Sequence, residues 1–170
     1  MKFDRSIVQT TYESPLGKMI IAATDKGLAG LWFEGQRHLP PELLAPTLAA
    51  WPSDPAHPLL REVIRQLGEY FAGKRTEFDV ALDLAYGTAF QQSVWQALLA
   101  IPQGGTASYG EVSSRIGKPA AVRAVGAAIG RNPVSIIVPC HRVMGAKGAL
   151  TGYAGGLERK SALLRLEGVL

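Results

Sequence analysis

Hydrophobic and polar residues alternate along the first part of the chain. This alternation predicts β-strands at residues 7–12, 18–24 and 28–33. Turn-forming residues at 14–17 and 25–27 separate the three runs, and such short turns join antiparallel neighbours. We therefore predict a small antiparallel meander at the N-terminus.

Proline dominates the segment that follows. Six of the eleven prolines fall between Pro40 and Pro58, which excludes long regular structure and predicts a connecting loop with at most a helical turn at residues 42–44. Pro58 then suits the first position of a helix that closes at Gly73 and packs on the meander. Its apolar face consists of Leu59, Leu60, Val63, Leu67, Tyr70 and Phe71. Residues 76–84 are expected to contain one more strand or an extended connector.

Helical periodicity replaces strand periodicity after residue 85. The pairs Thr88/Gln91 and Ser108/Glu111 match the capping box, so each predicts the start of a helix. The first helix carries apolar residues at helical spacing until Pro102 stops it, and the second runs over 109–116. A third helix is predicted from Pro119 to about residue 129, which makes a helix-turn-helix with the second.

These elements predict an α/β protein of the α+β kind. We expect a small N-terminal domain, residues 1–85, with an antiparallel sheet and a helix. It should pack on a mainly helical C-terminal domain, residues 86–170, that contains the helix-turn-helix and the only cysteine.

Composition narrows the class of protein. The chain has 170 residues, of which 47% are hydrophobic, so it can bury a core. It has no apolar run long enough to span a membrane and no signal peptide at its start, which predicts a soluble, cytoplasmic protein. Its single cysteine cannot form an internal disulfide, and its three histidines are too scattered to predict a metal site.

The net charge of +4 is unevenly distributed. Residues 112–157 contain no Asp or Glu, whereas Arg115, Lys118, Arg123, Arg131, Arg142 and Lys147 all fall there. A basic surface that includes the cysteine would suit a polyanionic partner, and an ordinary solvated basic face explains the charge equally well.

The cysteine itself lies in the sequence Ile136-Ile137-Val138-Pro139-Cys140-His141-Arg142. The apolar run predicts a buried strand that Pro139 ends, and the two basic residues should favour the thiolate. A buried cysteine that acts only as a small hydrophobe is the alternative, but such a cysteine has no need of the adjacent imidazole and guanidinium.

Two further segments, one before and one after Cys140, carry candidate functional residues. The helix at residues 120–128 carries small side chains around Arg123, which suits a groove of DNA, although close helix packing also uses small residues. A glycine-rich loop with Tyr153 follows Cys140, and a helix at 157–166 ends at Glu167, whose carboxylate could reach His141.

Four motifs stand out in this half of the chain: residues 123–126 (RAVG), Asn132-Pro133, residues 139–143 (PCHRV) and residues 152–156 (GYAGG). Together they resemble the O6-alkylguanine-DNA alkyltransferase family, also called methylated-DNA–protein-cysteine methyltransferases. The resemblance is specific over about residues 86–168 and looser over the N-terminal half.

The resemblance implies an enzyme that repairs DNA by transferring the alkyl group of O6-alkylguanine to Cys140, once per molecule. It makes His141 a general base acting through water, Glu167 the group that orients it, and Asn132 a hinge residue. Tyr109 would help to rotate the target phosphate and could donate a hydrogen bond to the departing purine. Arg123 would fill the space that the flipped base leaves.

Further site residues follow from the same resemblance. Ala124, Gly126 and Arg115 would join Arg123 and Tyr109 in contacting DNA. The substrate pocket would consist of Val143, Tyr153, Ala154, Gly155 and Ser135. Ala154 stands where some members have a serine, and Ser135 where some have a proline.

No cofactor or metal is expected, including the zinc of some eukaryotic members. The expected partner is double-stranded DNA containing O6-alkylguanine. A monomer is expected in solution, with O4-alkylthymine as a second candidate substrate and assembly along DNA left open.

Three other functions would share some of these features. A non-catalytic lesion-binding relative would lack the cysteine. A cysteine hydrolase would take its base from elsewhere in the fold, whereas here the nearby histidine is the next residue. A DNA-binding regulator would fit the helix-turn-helix, but such proteins usually dimerise on palindromic sites.

Overall fold

A computed structural model describes residues 2–44 and 51–170 of the chain. The chain divides into two compact units, Met1–Tyr86 and Gly87–Leu170. Part of the predicted proline-rich loop, at 45–50, lies outside the described residues. Within the described ranges, no helix combines the length and the apolar character needed to cross a membrane.

The first unit contains the predicted antiparallel meander. Strands β1 (Val8–Ser14), β2 (Gly17–Thr24) and β3 (Gly27–Phe33) pair in that order, with Thr10 opposite Ile21 and Ile21 opposite Leu31. Strand β3 is buried along its whole length, as expected of a strand covered on both faces.

Helices α1 (Pro41–Leu44) and α2 (Pro58–Phe71) follow the sheet. Helix α2 contacts all three strands, which confirms the predicted packing. His57 caps it, because its Nδ1 atom accepts a hydrogen bond from the Leu59 amide. Fully buried residues such as Leu60 and Leu67 stabilise the contact by about 2 kcal/mol each.

The second unit is mainly helical, as predicted. It contains α3 (Ala89–Leu99), α4 (Tyr109–Arg115), α5 (Val122–Gly130) and α6 (Leu157–Leu166). Both predicted capping boxes are present, at the starts of α3 and α4. Two short strands, β4 (Ala107–Ser108) and β5 (Val143–Met144), pair in parallel and tie the start of α4 to the segment after the cysteine.

Helices α4 and α5 contact each other across a short turn, as the helix-turn-helix prediction requires, but α5 starts later than predicted. The Ala121 amide donates to the Lys118 carbonyl, so Pro119 lies in a separate turn and not in the helix. The Lys118 carbonyl also accepts a hydrogen bond from the Ser113 hydroxyl, so residues 118–121 form a turn before the helix starts.

The predicted buried strand before the cysteine is wrong. Residues 135–137 form turns, and a 3₁₀ helix, Cys140–Arg142, follows Pro139. The amide groups of the run bond to carbonyls two or four residues earlier, as from Ile137 to Ser135 (2.8 Å) and from Cys140 to Val138 (2.8 Å). A short buried apolar run satisfies its backbone equally well in packed turns, so hydrophobicity alone could not distinguish the two.

Candidate active site

Asn132 organises the turn that carries the cysteine. It lies just after α5, and its Nδ2 atom donates to the carbonyls of Val138 (2.8 Å) and Val134 (3.4 Å). Its Oδ1 atom accepts from the Val134 amide (2.9 Å). The side chain is buried and lies close enough to the Cys140 thiol to act on its pKa. One amide group therefore connects the end of α5 to the cysteine.

The turn is strained at one point. Ile136 has a φ of 71°, a backbone conformation that β-branched residues rarely adopt, and its side chain is only 1% exposed. Pro139 has φ −82° and ψ 63°, the angles of an inverse γ-turn, and it places Cys140 at the start of the 3₁₀ helix. Such strain persists only where surrounding contacts enforce it, which fits a segment that holds a reactive side chain in place.

Cys140 is buried, with 6% of its surface exposed. Burial raises the pKa of its thiol, while the Asn132 side chain, the charge of Lys160 and the backbone amides of Cys140 and His141 act in the opposite direction. The prediction that His141 and Arg142 make the thiolate the favoured form is therefore wrong. The resting cysteine is a thiol, and its use as a nucleophile requires a base.

His141, Glu167 and Arg142 form a buried cluster. The Nε2 atom of His141 lies 2.7 Å from Oε2 of Glu167, which the end of α6 brings into the interior. The Arg142 guanidinium bonds both carboxylate oxygens, at 2.8 and 3.1 Å, and donates to the Ile101 carbonyl at 2.6 Å. The structure thus brings His141 and Glu167 together and adds Arg142, which belongs to this cluster and not to a basic surface.

His141 is set up to accept a proton. Burial lowers the pKa of its imidazole, and the contrary effect of Glu167 is smaller, so the ring is neutral near pH 7. With the carboxylate accepting at Nε2, the proton belongs on that nitrogen. The Nδ1 atom then carries a free lone pair, and it is buried without a hydrogen-bond partner among the described residues.

Lys160 is a residue of the site that the sequence analysis does not identify. It lies in α6 with no exposed surface, and its Nζ atom donates to the carbonyls of Val143 (2.6 Å), Thr151 (2.6 Å) and Gly152 (3.4 Å). Burial lowers its pKa to about 8. The ammonium group connects β5 to the glycine-rich loop and lies close enough to Cys140 to affect its pKa. The available signal was a lysine three residues before Leu163 on the buried face of α6.

Of the predicted pocket residues, Tyr153 lies close enough to Cys140 for the charge of the cysteine to act on its pKa. Burial and the charge of Cys140 raise the pKa of Tyr153 well above its ordinary value, so its hydroxyl stays protonated, and Ser135 acts on it in the opposite direction. Val143 contributes the carbonyl bonded to Lys160. The Gly155 carbonyl accepts from Arg159 (3.1 Å), and Ala154, beside it, is half-buried.

The residues expected to contact DNA lie on α4 and α5. Arg115, Arg123 and Ala124 are exposed, and no described residue pairs with the Arg123 guanidinium. Tyr109 begins α4, and its ring lies over α5: a Cβ atom at Gly126 would be 3.8 Å from it. The described residues hold no group of three or more His, Cys, Asp or Glu placed to bind a metal.

Comparisons with known proteins match both units of the chain. Residues 7–84 match the family model "6-O-methylguanine DNA methyltransferase, ribonuclease-like domain", and residues 89–169 match the DNA binding domain of the same name. A methylated-DNA–protein-cysteine methyltransferase of Mycobacterium tuberculosis is 51% identical over 92% of this chain and 90% of its own length.

An archaeal relative and a solved structure are also similar to this chain over most of its length. A methylated-DNA–protein-cysteine methyltransferase of the archaeon Methanosarcina acetivorans is 48% identical over 92% of this chain and 96% of its own length. A crystal structure of Mycobacterium tuberculosis OGT in complex with DNA superposes with a TM-score of 0.83 at 50% identity, covering 94% of this chain and 92% of that one.

Proposed function

The chain belongs to the 6-O-methylguanine DNA methyltransferase family, and we propose that Cys140 takes the alkyl group from O6-alkylguanine in double-stranded DNA. The sulfur attacks the alkyl carbon, the bond from that carbon to O6 breaks, and guanine leaves with the electron pair. The product is a thioether, which no histidine or carboxylate can hydrolyse, so each molecule acts once. O4-alkylthymine is a second candidate substrate by the same chemistry.

The arrangement around the thiol is the observation that carries this proposal. A buried cysteine is held by Asn132 beside a lysine charge, and a neutral histidine with a free nitrogen follows it directly. In the proposed reaction, a water between them passes the thiol proton to Nδ1 of His141. Glu167 then stabilises the imidazolium, and Arg142 holds that carboxylate in place.

The leaving guanine needs a proton or hydrogen-bond donors for its developing negative charge. The Tyr109 hydroxyl and the backbone amides of residues 153–155 are the proposed donors. Val143, Tyr153, Ala154, Gly155 and Ser135 would form the walls of the base pocket. Asn132 would keep the cysteine in line with the alkyl carbon.

The target base must leave the helix before it can react. A nucleophile cannot approach an O6 substituent in line while the base is stacked and paired, and an alkylated guanine is easier to extrude because it pairs poorly. Arg123, exposed on a helix of small residues, is proposed to fill the vacated space. Arg115, Ala124 and Gly126 would lie along the DNA with it, while Tyr109 rotates the nucleotide.

The remaining assignments are parts of the same proposal. Residues 1–85 would be a structural domain and residues 86–170 the domain that binds DNA and transfers the alkyl group. The protein would act in the cytoplasm as a monomer that needs no cofactor.

Two variants test the proposal. Cys140→Ala should still bind an oligonucleotide duplex containing O6-methylguanine but should accept no methyl group. Arg123→Ala should slow transfer from the duplex much more than reaction with O6-benzylguanine as a free base, and Arg131→Ala, at the exposed end of α5, is its control. Methyl transfer by Cys140→Ala would refute the acceptor assignment. Equal losses on duplex and free base would refute the role of Arg123.

A further inference from the structure

Thr151 lies in the loop between β5 and α6, and its backbone is held by a buried cation. Its carbonyl accepts a hydrogen bond from Nζ of Lys160 at 2.6 Å, and the carbonyl of Gly152 faces the same atom at 3.4 Å. Lys160 itself has no exposed surface. The loop is therefore anchored from the interior at Thr151, although the threonine side chain reaches the surface.

The side chain of Thr151 is oriented by its methyl group. A Cβ atom at Gly145 would lie only 2.8 Å from Cγ2 of Thr151, so the glycine leaves the space that this methyl occupies. β-Branched side chains have few χ1 choices, and fixing the methyl fixes the hydroxyl as well. The hydroxyl Oγ1 points to Tyr109, where it donates to the phenolic oxygen at 3.4 Å.

Tyr109 is thus held at both ends of its side chain. Its ring rests over Gly126 of α5, and its hydroxyl meets Thr151, its only hydrogen-bond partner within the described ranges. A phenol can donate one hydrogen bond and also accept one. When its oxygen accepts from Thr151, its own proton is directed away from the loop and is available to another acceptor.

We propose that Thr151 is a positioning residue that makes Tyr109 a hydrogen-bond donor to the target nucleotide. The inference rests on the proposed function, because it assigns the donor direction of a residue used there. Lys160 fixes the threonine backbone, Gly145 fixes its methyl, and the hydroxyl then orients the tyrosine. Thr151 does not contact the reacting atoms in this account; it acts through Tyr109.

The test is a double-mutant cycle on single-turnover methyl transfer from a duplex containing O6-methylguanine. Thr151→Val keeps the methyl beside Gly145 and removes only the hydroxyl. It should slow transfer about fivefold, the size expected for one hydrogen bond. Thr151→Ser keeps a hydroxyl but loses the methyl that orients it, so its rate should lie between those of Thr151→Val and the wild type. The exposed Thr106→Val serves as the matched control and should not change it.

The decisive comparison is made in a Tyr109→Phe background. There, Thr151→Val should cause no further loss, because the phenol through which it acts is absent. A wild-type rate for Thr151→Val, or the same fivefold loss in the Tyr109→Phe background, would overturn the inference while leaving the proposed function intact. If the wild-type protein transfers no methyl group at all, the proposed function fails and this inference fails with it.

Discussion

The Nε2 atom of His141 and the Oε2 atom of Glu167 lie 2.7 Å apart, and neither side chain has any exposed surface. Arg142 bonds the same carboxylate from its other side at 2.8 Å. Among the residues that the structure describes, Glu167 is therefore the one carboxylate paired with the buried guanidinium, and it is also the hydrogen-bond acceptor of the proposed base. Removing its charge should affect both partners.

Glu167→Gln should lower the free energy of unfolding by about 3 kcal/mol, because it leaves a buried arginine without a counter-charge. Urea denaturation measures the change. Glu34→Gln is the control: Glu34 pairs with Lys18 at 3.7 Å on the surface, and its loss should hardly be detectable. Similar small changes in both variants would contradict the account of the buried cluster.

The pH dependence of stability should reveal the buried imidazole of His141. Its pKa in the folded protein is lowered by burial, whereas in the unfolded chain it is about 6.5. The unfolded state therefore binds the proton first as the pH falls. The contribution of His141 to stability should be complete above pH ~6.5 and should be lost below it.

The difference between the wild type and His141→Gln isolates this effect from His38 and His57. The unfolding free energies of the wild type and the His141→Gln variant, measured between about pH 8 and pH 5, should converge as the pH falls. Methyl transfer by the wild type should slow only at still lower pH, where the folded protein reaches the lowered pKa of His141, because a protonated imidazole cannot accept the thiol proton. A stability difference that grows as the pH falls would contradict a neutral buried histidine.

Lys160→Met should have two effects. It leaves the buried carbonyls of Val143 and Thr151 without their donor, which should cost about 2 kcal/mol or more of stability. It also removes a positive charge that lowers the pKa of Cys140, so the ultraviolet absorbance of the thiolate should appear at higher pH than in the wild type. Lys147→Met, at an exposed position, is the matched control.

The same lysine gives the wild type a distinct alkaline signature. Its pKa is about 8 in the folded protein and ~10.4 in an unfolded chain, so the unfolded state binds more protons between these values. Stability of the wild type relative to Lys160→Met should therefore rise from pH ~8 to ~10. A fall over this range would mean that the folded protein holds the lysine proton more tightly, contrary to its burial.

Asn132→Asp tests the brace that positions the cysteine. Aspartate can still accept from the Val134 amide, but it places a second acceptor against the Val138 carbonyl, now 2.8 Å from Nδ2. We expect a loss of about 2 kcal/mol in unfolding free energy. Because the new negative charge also disfavours a neighbouring thiolate, it should raise the pKa of Cys140 and slow the transfer. A destabilised variant that reacts at the wild-type rate would show that Asn132 serves only the fold.

The features that could be predicted from the sequence are those encoded by neighbouring residues. The Ser108/Glu111 box sets the start of α4 because both hydrogen bonds of the box form within four residues. The meander follows in the same way from alternation and short turns. The resemblance to the family implied that Glu167 lies beside His141, and the structure places the two 2.7 Å apart. The role of Cys140 as the reacting residue stays a prediction.

What could not be predicted depends on contacts that have no local signal. Ile136 adopts a positive φ that its own side chain disfavours, and only the buried turn around Asn132 enforces it. The sequence groups Arg142 with the other basic residues between 112 and 157, because its partner Glu167 lies outside this stretch. Lys160 is satisfied by backbone carbonyls, which every residue has, so no sequence pattern identifies its partners.

The most direct test of the central claim is intact-protein and peptide mass spectrometry after incubation with an equimolar duplex that contains one O6-methylguanine. The account predicts a mass gain of one methylene group that saturates at one per chain and maps to Cys140. DNA binding without any change in mass, or a methyl group on another residue, would contradict it.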